Sequence, residues 1–299
     1  MSVFINVLIP IILIFLSGFF LQKSQLLEVR SVSAVALYIL TPALVFRTFY
    51  TTEANMDLLL ILTFAILFLV IMLIINKLLS YIGKWDTARE SGMTLATTFM
   101  NSGNYGAPLI LFAFGEEAFA YSIIFMVIQS LLMSTAGAYL ANRSSLTPAD
   151  AFRVVLKMPV FYALIAGVSM QAVGIPIRNS YLDAVNMIAD AAIPVVMIVL
   201  GMQLAKISIG SIDWGMVGLG TTVRLVLSPV IAYFLTILLQ TNDVLSTVII
   251  VSSAMPTAAT ISMIAVQFNA SPQLVSSVTL VTTICSVPTL WILLTILGV

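Results

Sequence analysis

Ten stretches of roughly twenty mostly apolar residues leave this 299-residue chain few folds to choose from. They run over approximately 3–21, 31–49, 57–79, 90–113, 118–141, 159–174, 184–204, 215–239, 245–268 and 274–298. A segment of that length crosses the hydrocarbon core of a bilayer as an α-helix, which bonds its own backbone where no water can. The pattern predicts an all-α polytopic membrane protein of ten transmembrane helices. The sixth stretch is short, and the connections are too brief to hold a soluble domain. No basic residue precedes the first stretch, and Gln22, Lys23 and Ser24 follow it without a small-x-small cleavage pattern. It is expected to be a retained span rather than a signal peptide.

Charge composition removes most other classes. The chain is 61% apolar and carries 12 basic and 12 acidic residues, too few to wet the exterior of a soluble fold. The membrane lipid is the expected surroundings, and the balanced charge argues against a nucleic-acid partner, which needs a basic face. There is no histidine, so His-ligated zinc and His-based triads are excluded. A single cysteine, Cys285, excludes a disulfide framework. No Gly-x-x-x-x-Gly-Lys-Ser/Thr loop is present, which argues against ATP-driven transport. A membrane enzyme needs an activated nucleophile or two facing carboxylates. Without histidine, without Gly-x-Gly-Asp and with lysines only near span ends, the chain is expected to be no enzyme and to need no cofactor or metal.

The longest polar connection, 143–158, falls at mid-chain and suggests a repeat. Pro10, Gly18 and Gln22 recur at the same spacing as Pro159, Gly167 and Gln171; Pro42 pairs with Pro194, and Pro108 with Pro256. The reading is a first five-helix repeat over 1–142 and a second over 159–299. Five spans per half is odd, so the second half enters the membrane inverted, as in many transporters whose substrate sits at the repeat interface. Lys23, Arg30, Lys77, Lys84, Arg89, Arg143, Arg153, Lys157 and Lys206 all fall on one side. The positive-inside rule makes that side cytoplasmic and puts both termini outside.

Residues 101–108 read Asn-Ser-Gly-Asn-Tyr-Gly-Ala-Pro. Gly103, Gly106 and Pro108 weaken a continuous helix, since Pro108 lacks a donor and obstructs the carbonyl one turn earlier. A freed backbone group in lipid must be buried in protein or line a wet cavity. The segment is therefore expected to be a broken helix at a substrate site, with a packing kink as the plainer alternative. Met255, Pro256 and Thr257 lie one repeat later. Two broken helices crossing at the midplane bring half-helix N-termini together, which suits an anion, and the amides of Asn101 and Asn104 can donate to its oxygens.

Asn-x-Gly-Asn-x-Gly-x-Pro in a fourth of ten spans resembles the auxin efflux carrier family, which includes plant auxin exporters and bacterial permeases for malate or malonate. The segment Ala254-Met255-Pro256, then Asn269-x-x-Pro272-x-Leu274, Pro288 and Leu293-Leu294 is similar to the family's ninth and tenth helices. The resemblance implies a scaffold of helices 1, 2, 6 and 7 that often forms a homodimer. It implies a transport domain of helices 3–5 and 8–10, a crossover of helices 4 and 9, and an elevator-like movement. By motif matching, Asn101 contacts the substrate; Asn104 fits the bacterial form of the motif only. The expected location is the bacterial cytoplasmic membrane.

Ionisable groups inside spans are costly and therefore functional candidates. Asp57, where plant carriers also tend to have an acid, and Asp190, four residues before Pro194, are candidates for proton coupling, with hydrated helix ends as the alternative. Arg224, well inside the eighth span, is a candidate for anion attraction or internal pairing. The related bile-acid sodium symporters use an acid in the ninth helix; residues 245–268 have none, leaving Gln129, Gln267 and nearby hydroxyls as sodium ligands. The leading reading is a secondary transporter of a small organic anion such as malate, malonate or an auxin-like acid. A sodium-coupled carrier and a channel stand beside it.

Overall fold

In the computed structural model, which describes residues 4–25, 27–52, 56–141, 153–207 and 212–299, every regular element is helical. The helices are α1 (Phe4–Gln25), α2 (Val29–Thr51), α3 (Met56–Gly83), α4 (Thr87–Thr98), α5 (Ser102–Ala141), α6 (Pro159–Val173), α7 (Asn179–Lys206), α8 (Trp214–Leu239), α9 (Asp243–Ser253), α10 (Ala259–Gln267) and α11 (Pro272–Ile296). Among the described residues, β pairing is limited to one isolated antiparallel bridge between Met100 and Thr257. Most of the central connection, including Arg143, lies outside the described residues.

Among the described residues, seven helices are long and apolar enough to cross a membrane: α1, α2, α3, α5, α7, α8 and α11. The chain is thus an integral membrane protein. The remaining predicted spans are altered for physical reasons. The stretches 90–113 and 245–268 are each interrupted, which leaves α4, α9 and α10 short. The 40-residue α5 would be about 60 Å long if straight, twice the hydrocarbon thickness. It is not straight: Gly115, at φ 80° and ψ −168°, leaves helical geometry in a region open essentially to glycine alone. A Cβ on Gly103 would stand 3.0 Å from Met126 Sδ, so the arm after Gly115 folds back along the arm before it.

Four prolines are absorbed rather than breaking their helices. Pro10, Pro42, Pro108 and Pro229 each sit two residues beyond a π-helical turn: Phe4–Leu8, Ala36–Leu40, Ser102–Gly106 and Val223–Leu227. A turn widened to i→i+5 bonding accommodates the donor the ring removes and the carbonyl it obstructs. The break expected at the Pro108 cluster therefore lies upstream, at residues 99–101.

Glycines allow the closest helix contacts. A Cβ on Gly18 of α1 would collide with the Ile198 carbonyl of α7, and one on Gly201 of α7 with the Phe15 carbonyl of α1. Gly167 gives α6 the same approach to α2, where a Cβ would lie 2.9 Å from the Phe46 carbonyl oxygen. In lipid, helix association relies on such packing, because burying apolar surface from water no longer drives it. Between these helices and lipid, side chains such as Leu13, Phe20, Ile66, Tyr162, Phe234 and Ile284 stay exposed.

The most polar helix is the most enclosed. Residues 90–98 of α4 are buried without interruption. Thr94 and Thr97 return their hydroxyls to the carbonyls of Glu90 (2.7 Å) and Met93 (2.8 Å). The Glu90 carboxylate is met by Lys77 at 3.1 Å and by Ser80 at 2.7 Å. Those partners compensate its desolvation at the end of the bundle.

Candidate functional site

The two interruptions meet. Asn101 N–H donates to the Pro256 carbonyl at 2.8 Å, and Ala258 N–H to the Phe99 carbonyl at 3.0 Å. Thr257 Oγ1 donates to the Ala96 carbonyl at 2.6 Å, and its N–H to Thr282 Oγ1 at 3.2 Å. Gly106 N–H donates to the Asn101 carbonyl at 2.9 Å. The non-helical backbone thus satisfies itself in the protein interior, as a membrane requires. The short side chains at 254 and 257–259, and the absence of Cβ at Gly106, where one would lie 3.1 Å from Met255 Cγ, let the two segments approach.

A cavity of about 110 Å³ opens beside this meeting point, room for a small organic molecule. One wall is α2 (Ser33, Leu37, Thr41) and α7 (Ile193, Val196, Gln203); the other is the 99–104 segment, the second arm of α5 (Met126, Gln129, Ser130) and Ala258–Thr260. No charged side chain lines it among the described residues. The polarity comes from elsewhere. The first residues of α5, Ser102 to Asn104, and of α10, Ala259 and Thr260, both line the cavity. Two helix N-termini therefore turn their partial positive charge toward one small space, with the Ser102 N–H already taken by the Met100 carbonyl at 2.9 Å.

Asn101 is 4% exposed, and its Nδ2 is buried without a partner among the described residues. Gln203 also lines the cavity with an unpartnered buried amide oxygen. An unmet buried donor is rare in folded proteins and marks a place for a ligand or water. Asn101, Gly103 and Asn104 line the cavity, and so does Gln129, offered above as a sodium ligand, with its amide directed to Met100 Sδ at 3.7 Å.

Other candidates lie elsewhere. Gly106, Pro108, Met255, Pro256 and Thr257 form the buried joint between the breaks rather than the cavity wall; the next three residues, 258–260, supply that wall. Gln267 is exposed at the end of α10 and shares no site with Gln129. Asp190 pairs with Arg47 at 2.5 Å, and its side chain is 69% exposed. Asp57 accepts from Tyr121 Oη at 2.6 Å and from Asn242 Nδ2 at 3.3 Å, tying α3, α5 and the start of α9. Arg224 is fully buried but does not line the cavity; its guanidinium holds carbonyls of Thr97, Thr98 and Ser253. Sequence reasoning missed Gln203, Ser130 and Thr41. The available signal was a polar side chain in an otherwise apolar span, but nothing local says which face it takes.

Comparison with known proteins agrees in kind. A family model described as "Membrane transport protein" matches residues 3–151 and 149–294. An uncharacterized transporter of Methanothermobacter thermautotrophicus is 24% identical over 293 residues, covering 94% of each chain. An uncharacterized transporter of Methanocaldococcus jannaschii is 24% identical over 308 residues, covering 97% of this chain and 98% of its own.

Proposed function

The chain belongs to the membrane transport protein family that includes the auxin efflux carriers, and from that membership and the site's geometry we propose a secondary transporter of a small organic anion. The observation that carries the anion is the pairing of two helix N-termini with the free Asn101 amide around one cavity that has no charged side chain. Fixed N–H dipoles hold a carboxylate without the desolvation cost of a buried lysine or arginine. Malate, malonate and an auxin-like acid all carry that group.

In this reading the two breaks are the crossover of a fourth and a ninth helix in a ten-span, inverted-repeat fold. The glycine packing supports it: Gly18 seats α1 on α7, and its repeat partner Gly167 seats α6 on α2. Each half's first helix thus packs on the other half's second. Helices α1, α2, α6 and α7 are then the scaffold, and the rest a transport body that slides against it, elevator-fashion. The cavity at their boundary is the site being carried. Dimerisation through the scaffold belongs to the same proposal. The same proposal takes the basic connections as cytoplasmic, with both termini outside a bacterial cytoplasmic membrane. The cavity wall runs from Ser33 to Leu44 and from Ala192 to Gln203, the parts of α2 and α7 nearer Arg30 and Lys206, which on that orientation supports an inward-facing state.

No acid lines the cavity, and Asp190 is exposed and paired. We assign the driving force to the anion's own gradient rather than to protons carried by Asp57 or Asp190. The test is uptake of malate, malonate, pyruvate and an indole carboxylate into proteoliposomes, by solid-supported-membrane current and radiolabel, with and without proton or sodium gradients. Saturable uptake of one of them, with a markedly weakened affinity in Asn101→Ala, is expected. Uptake abolished by replacing sodium with choline would reject the coupling, and uptake of none by folded protein would reject the carboxylate.

A further inference from the structure

A buried arginine without a carboxylate partner is costly unless other groups compensate it. Arg224 lies in α8, fully buried, and none of the ion pairs among the described residues includes it. Its Nη1 donates to the carbonyls of Thr97 at 2.7 Å and Thr98 at 3.3 Å, and its Nη2 to that of Ser253. The guanidinium carbon stands 5.9 Å from the centroid of the Phe68 ring. Thr97 and Thr98 end α4, and Ser253 ends α9. One cation therefore spans the C-termini of both interrupted helices, where carbonyls lack a following turn and the dipole's negative ends collect.

Half-helix C-termini and unwound carbonyls are the groups with which membrane carriers coordinate sodium. Here a tethered group already occupies them. We infer that Arg224 is a built-in counter-ion that takes the place of a mobile monovalent cation. It joins α4 to α9 and neutralises their negative ends, leaving the positive ends of α5 and α10 to dominate the cavity, without a sodium requirement. A second observation points the same way. Arg224 Nε is buried without a partner among the described residues, as are the hydroxyls of Thr98 and Ser253, two of the residues whose carbonyls the guanidinium holds. Truncating the arginine would leave a space bordered by the carbonyl oxygens of Thr97, Thr98 and Ser253, the kind of ligand a small hard cation prefers. Arg224 does not line the cavity; it is a positioning residue acting through the helix ends. The inference rests on reading the two broken helices as the transport core, but its test needs no transported anion.

The test is thermal unfolding of the detergent-purified full chain, comparing choline chloride, sodium chloride and low-millimolar guanidinium chloride in choline at matched ionic strength. The wild type should have the same Tm in all three. Arg224→Ala in choline should lose about 5 °C or more, and recover at least half of the loss in sodium or guanidinium. Arg224→Lys, which keeps the charge but not the fork, should lose less and ignore sodium. A wild type stabilised by sodium over choline would overturn the inference. So would an Arg224→Ala protein with unchanged Tm, or one that no small cation rescues. If Arg224→Ala can be purified only with sodium or guanidinium present, that outcome supports it; failure to purify under any condition counts against it. Failed anion uptake with intact cation rescue would reject the proposed substrate class alone.

Discussion

The Asn101 backbone and side chain have separate jobs. Its N–H and carbonyl hold the joint to Pro256 and Gly106, while its buried Nδ2 donates to nothing among the described residues. Asn101→Ala should therefore leave folding intact and remove one donor to an anion. Hydrogen bonds to charged groups contribute about 1.5–3 kcal/mol, so the apparent affinity should fall roughly 10- to 100-fold, read from the concentration dependence of uptake. Asp190 offers the opposite case. Its pairing with Arg47 is largely solvated, and such pairs contribute about 0–1 kcal/mol. Asp190→Asn should leave both Tm and the pH dependence of uptake nearly unchanged; an altered pH profile would restore this acid as a proton carrier. The place of Asn101 at the interruption was legible from its motif. The ion pair of Asp190 with Arg47 was not, because the two lie 143 residues apart in sequence.

Helix contacts in this molecule are set by where side chains are missing. Gly201 lets α7 touch the backbone of α1 at Phe15, and a backbone atom cannot rotate aside. Gly201→Val should force the helices apart at a cost of about 1–3 kcal/mol or more, seen as a lowered Tm and poor yield. Gly115→Ala tests a different effect. Nothing lies within 4 Å of its Cβ position, so any loss comes from the φ of 80° alone; about 1–3 kcal/mol is expected. Helix α4 teaches why hydropathy misleads at this scale. The stretch 90–113 reads as one apolar span, yet its first half is a threonine-rich helix buried on all sides. Hydroxyls that bond their own helix make that burial tolerable, and an average over the window conceals them.

At the scale of the molecule, the cavity belongs to no single element. It exists because α2 and α7 face the joint of the broken helices across a boundary, the arrangement an alternating-access carrier needs. A single cysteine replacing Gln203, with Cys285 changed to Ser, should react with a membrane-impermeant maleimide from the cytoplasmic side when the carrier faces inward. Labelling from neither side would refute an accessible cavity.

Hydropathy, charge placement and the glycine–proline clusters by themselves determined that this chain spans a membrane as helices and that two of its apolar stretches are interrupted, one just before the 101–108 cluster and one within 252–260. Those properties are local: lipid demands a self-bonded backbone within each segment, and proline and glycine act within one turn. Only the tertiary structure decided that residues 258–260 rather than 255–257 face the cavity, that Gln203 joins Asn101 there, and that Arg224 bonds carbonyls at two helix ends away from the cavity. Each of these depends on which surfaces meet across more than a hundred residues or across a break in a helix, and no window along the chain contains that pairing.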